Sequence, residues 1–188
     1  EVDRVDALMQ QLLELGEQPH AVVEETNLSE LVNHAIDVVG REPDVQVEEM
    51  ERLVVSIDPV PPVRLDGERL VPAIVQIIDN ARVFSPSGSP IRIHLCAVQH
   101  THRNHAEISI QNAGSEIPSE IRDRVFEPFF TTRQDAKGLG LTIADQVISQ
   151  NGGTLDLESA DGSVCFRIRF PLERGVQPII SSTGGAVA

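Results

Sequence analysis

Apolar positions along the chain follow two rhythms. Leu31, Val32, Ala35, Ile36 and Val39 recur every three or four residues between Asn27-Leu28-Ser29-Glu30 and Gly40, which predicts an amphipathic helix capped by Asn27 or Ser29. The same spacing predicts a helix opening at Asp66-Gly67-Glu68-Arg69-Leu70 and reaching about Arg82, with Asp66 as its cap. It also predicts a short helix at 118–125, a long one at about 139–150 through Ile143, Ala144, Val147 and Ile148, and a first helix over about 1–16 ended by Gly16 and Pro19. Strand-like runs are Val45-Gln46-Val47, Leu53–Ile57 closed by Pro59, Pro61 and Pro62, about 90–98, about 105–111, and a final hairpin at 153–159 and 164–170. Helices and strands mix without a regular βαβ alternation, so the expected class is α/β with helices layered on one face of a mixed sheet. A polar, proline-bearing linker over 17–26 separates the first helix from the main domain at 27–173, and 174–188 reads as a tail without a burial pattern.

Composition narrows the class. At 188 residues and 40% apolar content the chain supports one well-buried core. No window approaches eighteen consecutive apolar residues, and Glu1-Val2-Asp3-Arg4 lacks the basic start of a secretory signal, so this stretch reads as soluble. Its start inside a helix, without methionine, reads as a fragment whose parent could be membrane-anchored. A formal charge of −14 repels a phosphate backbone and argues against a nucleic-acid partner. Any smaller anion would need local positive potential from a divalent cation, backbone N–H groups or a few selected side chains. Cys96 and Cys165 sit in alternating apolar runs and read as buried strand thiols, consistent with a reducing cytoplasm.

Four segments carry candidate chemistry, in order: Gln76-Ile77-Ile78-Asp79-Asn80-Ala81, Asn112-Ala113-Gly114-Ser115-Glu116-Ile117-Pro118, Glu127-Pro128-Phe129-Phe130-Thr131-Thr132-Arg133, and Gly138-Leu139-Gly140-Leu141. Gln76 and Asn80, four apart on one helix, point to one side, where a carboxamide oxygen suits Mg²⁺. Taken alone, both read as solvated side chains. Glycines at a helix start let backbone N–H groups approach phosphate closely, although a bare Gly-x-Gly is a weak signal. The Phe129-Phe130 pair taken alone reads as core packing, and Lys137, the only lysine in the chain, as a solvated loop residue.

In order and spacing these segments resemble the N, G1, F and G2 boxes of the histidine-kinase catalytic and ATP-binding domain, in the superfamily of gyrase, the heat-shock chaperone ATPase and MutL. The resemblance covers about 27–173 and implies the Bergerat two-layer sandwich, preceded by the end of a dimerisation helix over 1–16. It implies ATP and Mg²⁺ as ligands, with Asn80 on the metal. Gln76 stands where related ATPases carry a glutamate base, which favours transfer over hydrolysis. Asn112 and Gly114 would meet adenine, Arg133 and Lys137 would approach the phosphates, and Gly138, Leu139, Gly140 and Leu141 would cradle them.

The function so implied is that of a sensor histidine kinase, passing the γ-phosphoryl to a histidine and thence to the receiver domain of a response regulator. Such a parent would dimerise through its helical hairpin and lie in the cytoplasm, at a membrane only through its other parts. None of the six histidines has the His-Glu/Asp-x-Arg/Lys-Thr-Pro setting that such an acceptor resembles, so the acceptor is expected upstream of residue 1. The chain departs from the family pattern at Val83, Asn112, Glu116, Ala136 and Ser163. These departures keep open a second reading, a degenerate regulatory module that docks on a partner with weak or no ATP binding. An anti-sigma serine kinase on the same fold fits the F box and the leading helix less well.

Overall fold

A computed structural model of the chain describes residues 22–43, 45–100, 103–114, 116–133 and 136–172. The expected helix over 1–16, the linker up to residue 21 and the tail at 174–188 lie outside the described residues. In chain order the elements are β1 (Glu24–Thr26), α1 (Leu28–Gly40), α2 (Val47–Met50), β2 (Leu53–Ile57), β3 (Val63–Leu65), α3 (Gly67–Phe84), β4 (Ile91–His100) and β5 (Arg103–Ala113). Two short 3₁₀ turns (Ser119–Ile121 and Asp123–Phe126) follow, then α4 (Gly140–Gln150), β6 (Thr154–Ala160) and β7 (Ser163–Pro171).

The sheet runs β2-β4-β5-β7-β6, with β2 parallel to β4 and every other pair antiparallel. Alternation decides its two faces. Ile91, Ile93 and Leu95 on β4, Ala106, Ile108 and Ile110 on β5, and Val164, Phe166, Ile168 and Phe170 on β7 are buried in one cluster with residues of α1, α3 and α4. Each of the Val, Leu, Ile and Phe side chains contributes about 1.5–3 kcal/mol by leaving water, so this face anchors the fold. The result is the expected two-layer α/β sandwich.

The other face carries the alternate residues and is held by charge. Glu107, 7% exposed, accepts from Arg167 Nη1 at 3.0 Å and Arg169 Nε at 2.7 Å. The outer ends of the two guanidinium groups reach β6, Arg167 to Glu158 at 2.8 Å and Arg169 to Asp156 at 2.5 Å. The Arg167 hydrogen bond holds the Glu158 carboxyl below its usual range. Cys96 and Cys165 are free thiols on this same face; burial pushes both upward in pKa, with the Glu107 charge adding to the effect on Cys96. Cys165 is buried as expected, whereas Cys96 is half-buried.

Caps set the helix starts. Of the two candidate caps for α1, Asn27 does the capping: its Oδ1 accepts from Ser29 N–H at 3.0 Å. Asp66 accepts from Arg69 N–H at 3.3 Å and opens α3, as its position before Gly67 suggested. Among the described residues no helix is long and apolar enough to cross a membrane.

Three local expectations are corrected. Val45-Gln46-Val47 is not a strand: Val47 is 73% exposed and begins α2, whose first turn carries Glu48 and Glu49, favourable at a helix N-terminus. The segment read as linker up to Thr26 ends in β1, which pairs antiparallel with β3 (Glu24↔Leu65, Thr26↔Val63), a strand not foreseen after Pro61-Pro62. The helix expected at 118–125 is two 3₁₀ turns instead.

Candidate nucleotide-binding site

Helices α3 and α4 lie antiparallel, clamped where α3 begins and α4 ends. Asp66 N–H donates to Asn151 Oδ1 at 2.7 Å, and Arg69 Nη2 donates to Gln150 Oε1 at 2.8 Å. Further along, a Cβ on Gly140 would collide with Gln76 Oε1, so the missing side chain at Gly140 lets the start of α4 settle on the Gln76 amide. Beyond that contact the two helices and the end of β5 bound a cleft of about 700 Å³, within the range of small-molecule sites.

One stripe of α3 forms the floor: Pro72, Ala73, Gln76, Asn80 and Phe84 all face the cleft. Asn80 and Phe84 continue the four-residue step from Gln76, a spacing that would have exposed Phe84 as a wall residue in the sequence. Asn112, 2% exposed, enters from β5, and Phe130, Arg133, Lys137, Gly138, Leu139, Gly140 and Leu141 complete the rim. Nine of the ten expected site residues are thus gathered around one space. Gly114 is the exception. Its φ of +88° and its packing on Pro86 make it a turn glycine, and its N–H donates to Gly162 O at 2.6 Å.

The α4 side of the cleft has a physical signature. Leu139, the N-cap of α4, makes no side-chain cap, so the first-turn N–H groups of an eleven-residue helix meet the cleft without a capping side chain. Among the described residues, Arg69, Arg133 and Lys137 border the space together with Asp79 and Glu116, which sets three cations beside two carboxylates in a chain of formal charge −14. The Glu116 carboxylate is engaged, accepting from Gly162 N–H at 2.7 Å.

One hydrogen bond to α4, one to Gly138 just before it and one cation–ring contact hold the aromatic segment. Thr142 Oγ1 donates to Phe126 O at 3.0 Å, Arg124 stacks 4.5 Å from the Phe130 ring centroid, and Phe129 N–H donates to Gly138 O at 2.8 Å. Phe129 itself is 52% exposed at φ +66°, a conformation costly for a bulky residue. Core packing is therefore not its role. Gly138, at φ +69°, has the Phe129 and Phe130 backbone where a Cβ would stand. Gly138→Ala is expected to strain this crossing, weakening ATP-analogue binding about tenfold and lowering the unfolding free energy from urea denaturation by about 1–2 kcal/mol. Unchanged affinity by calorimetry would show that the crossing does not shape the site.

Arg82 does not line the cleft: it pairs with Asp79 at 2.6 Å and with Glu49, joining α3 to α2. Burial draws its pKa down, but these two carboxylates outweigh that and raise it. Ser159 and Arg122 were not foreseen. Ser159 Oγ accepts from Ile117 N–H at 2.8 Å, and Arg122 donates to Ile117 O at 3.1 Å and Ser159 O at 2.6 Å, holding the loop after Asn112 against β6.

An α/β sandwich with a cleft between helices and sheet, bordered by the start of α4, is the frame of a small-molecule site. Residues 65–174 match the family of histidine kinase-, DNA gyrase B- and HSP90-like ATPases, and the chain belongs to that family. It is 28% identical over 162 residues to the sensor histidine kinase ZraS of Escherichia coli K12, an alignment covering 86% of this chain and 34% of ZraS. Among solved structures it is similar to the mycobacterial sensor histidine kinase MprB, at TM-score 0.63 and 28% identity over 80% of this chain and 97% of that one. It also shares its fold with the histidine kinase ThkA, solved in complex with the response regulator TrrA, at TM-score 0.65 and 22% identity, covering 90% of this chain and 48% of that one. The chain spans about a third of the length of ZraS.

Proposed function

We propose that the chain is the ATP-binding kinase domain of a two-component sensor histidine kinase, and that it passes the γ-phosphoryl of ATP to a histidine outside these 188 residues. The observation that carries this reading is the facing of two groups across one cleft, the Asn80 carboxamide on α3 and the uncapped N–H groups at the start of α4.

Phosphoryl transfer needs positioning and charge neutralisation more than a protein nucleophile. The Asn80 oxygen is a hard, neutral donor of the kind Mg²⁺ accepts alongside water and phosphate, and the ion would neutralise charge on the phosphate oxygens. The N–H groups of Leu139, Gly140 and Leu141 would hold the terminal phosphates, with Arg133 and Lys137 adding charge from the rim. Asn112, at the end of β5, would offer its carbonyl to the adenine amino group. Gln76 has no basic group to activate water, and this favours transfer over hydrolysis. The acceptor histidine would stand on the dimerisation hairpin of a homodimeric parent, and the phosphoryl would move on to a receiver domain. The ThkA complex with TrrA supports that partner class.

The substitutions behind the alternative, a decayed docking module, do not fill the space: Glu116 is drawn to Gly162, and Ser163 Oγ donates to Ala160 O at 3.0 Å. Calorimetric titration with a non-hydrolysable ATP analogue and Mg²⁺ separates the two. A saturable one-to-one isotherm is expected. No saturable heat from a folded sample would discard the kinase reading in favour of the docking module.

A further inference from the structure

At the end of the sheet opposite Asn112, the β4–β5 hairpin brings two imidazoles together. His100 and His105 lie on the open face as diagonal neighbours, since Val98 pairs with His105 and His100 with Arg103. Their ring centroids are 5.8 Å apart at an interplanar angle of 77°. Along β5, Arg103, opposite His100, is nine residue steps from Asn112 and His105 is seven, so the pair stands roughly 23–30 Å from Asn112 and takes no part in the cleft.

The protonation pattern of one ring is fixed by its partner. His105 Nδ1 lies 3.1 Å from Arg103 O, and a carbonyl only accepts, so Nδ1 carries the hydrogen and the lone pair of the neutral ring sits on Nε2. An imidazole that donates one N–H to a backbone carbonyl and presents the other nitrogen is the usual arrangement of a metal-ligating histidine. The spacing fits as well. With metal–nitrogen bonds of about 2.0–2.1 Å and a ring radius of about 1.1 Å, two imidazoles on one tetrahedral ion have centroids roughly 5.2 Å apart. Closing the remaining gap of roughly 0.6 Å takes turns of about ten degrees about χ1 of the two residues, within one staggered well, while χ2, which is soft in histidine, sets the direction of the ring nitrogens.

We propose that the open face at the adjoining ends of β4 and β5 binds one borderline divalent transition-metal ion, such as Zn²⁺, through Nε2 of His105 and a ring nitrogen of His100. Imidazole donors select such ions over Mg²⁺ and Ca²⁺, which take oxygen ligands. The formal charge of −14 draws cations to the chain as a whole. Among the described residues no third His, Cys, Asp or Glu joins the pair, so water completes the coordination. His94, on the same face, is instead directed at Asp58, 3.3 Å away.

The test is titration of the 188-residue chain with zinc chloride, free of nucleotide and magnesium, read by calorimetry and by imidazole ¹⁵N shifts. One saturable site is expected, with the His105 Nε2 resonance moving on binding. His100→Ala and His105→Ala are each expected to weaken it at least tenfold with unchanged circular dichroism, whereas His94→Ala leaves it intact. Wild-type protein that takes up no zinc at millimolar concentration overturns the site, as does binding that survives both single variants or is lost with His94→Ala alone.

Discussion

Asn80→Ala is expected to slow phosphoryl transfer to a histidine-bearing dimerisation segment, supplied in trans with ATP and Mg²⁺, by roughly a hundredfold or more. Removing one preorganised group that stabilises developing charge typically costs 10²–10³ in rate, and a metal-holding carboxamide belongs with such groups. The side chain is short and stands in the middle of α3, with Gln76 and Phe84 one turn away on either side, so the helix keeps its packing when the amide is lost. The effect should therefore be selective. Without Mg²⁺, ADP affinity by calorimetry is expected to stay within about threefold of wild type, because the N–H groups of α4 are untouched. If transfer stays within threefold of wild type, or metal-free ADP binding falls in step with it, Asn80 is not the metal-holding residue.

The largest effect on stability is expected at Glu107. Its carboxylate, 9% exposed, lies between Arg167 and Arg169, whose side chains are 32% and 12% exposed. Removing one member of a buried ion pair typically costs 3–5 kcal/mol, because the charge left behind has already lost its water. Here the arginines keep Glu158 and Asp156, so Glu107→Ala is expected to cost about 2–3 kcal/mol, measured as a lower urea midpoint at unchanged m-value. Glu158→Gln, at the solvent-facing end of the same network, is expected to stay within about 1 kcal/mol. A Glu107→Ala midpoint indistinguishable from wild type would mean that water already reaches between the two arginines.

The long elements were legible because their apolar spacing persists over two or more turns or strand repeats. Leu31 to Val39, Leu70 to Ala81 and the Ile91–Leu95 and Phe166–Phe170 alternations all reach the buried cluster. Three-residue segments offer no such repeat. Val45-Gln46-Val47 alternates by accident, and β1 and β3 are recognisable only by pairing with each other across 39 residues. At the site, motif order located the cleft, since residue type and spacing carry that information. What it did not contain was the direction of long side chains: Arg82 turned to Asp79 and Glu49, Glu116 turned to Gly162 N–H, and the Gln76 amide settled on Gly140. Those choices are made by neighbours far along the chain, and no local pattern records them.

The hydrogen bond from Phe129 N–H to Gly138 O has an evolutionary consequence. It ties the chain at Phe129 to the chain at Gly138 at the cleft's edge, so closing the connection between those two points costs only about 0.6 kcal/mol more for each doubling of its length. Changes in that length are thus cheap for the scaffold, and descendants of the domain are free to vary it without disturbing the floor on α3.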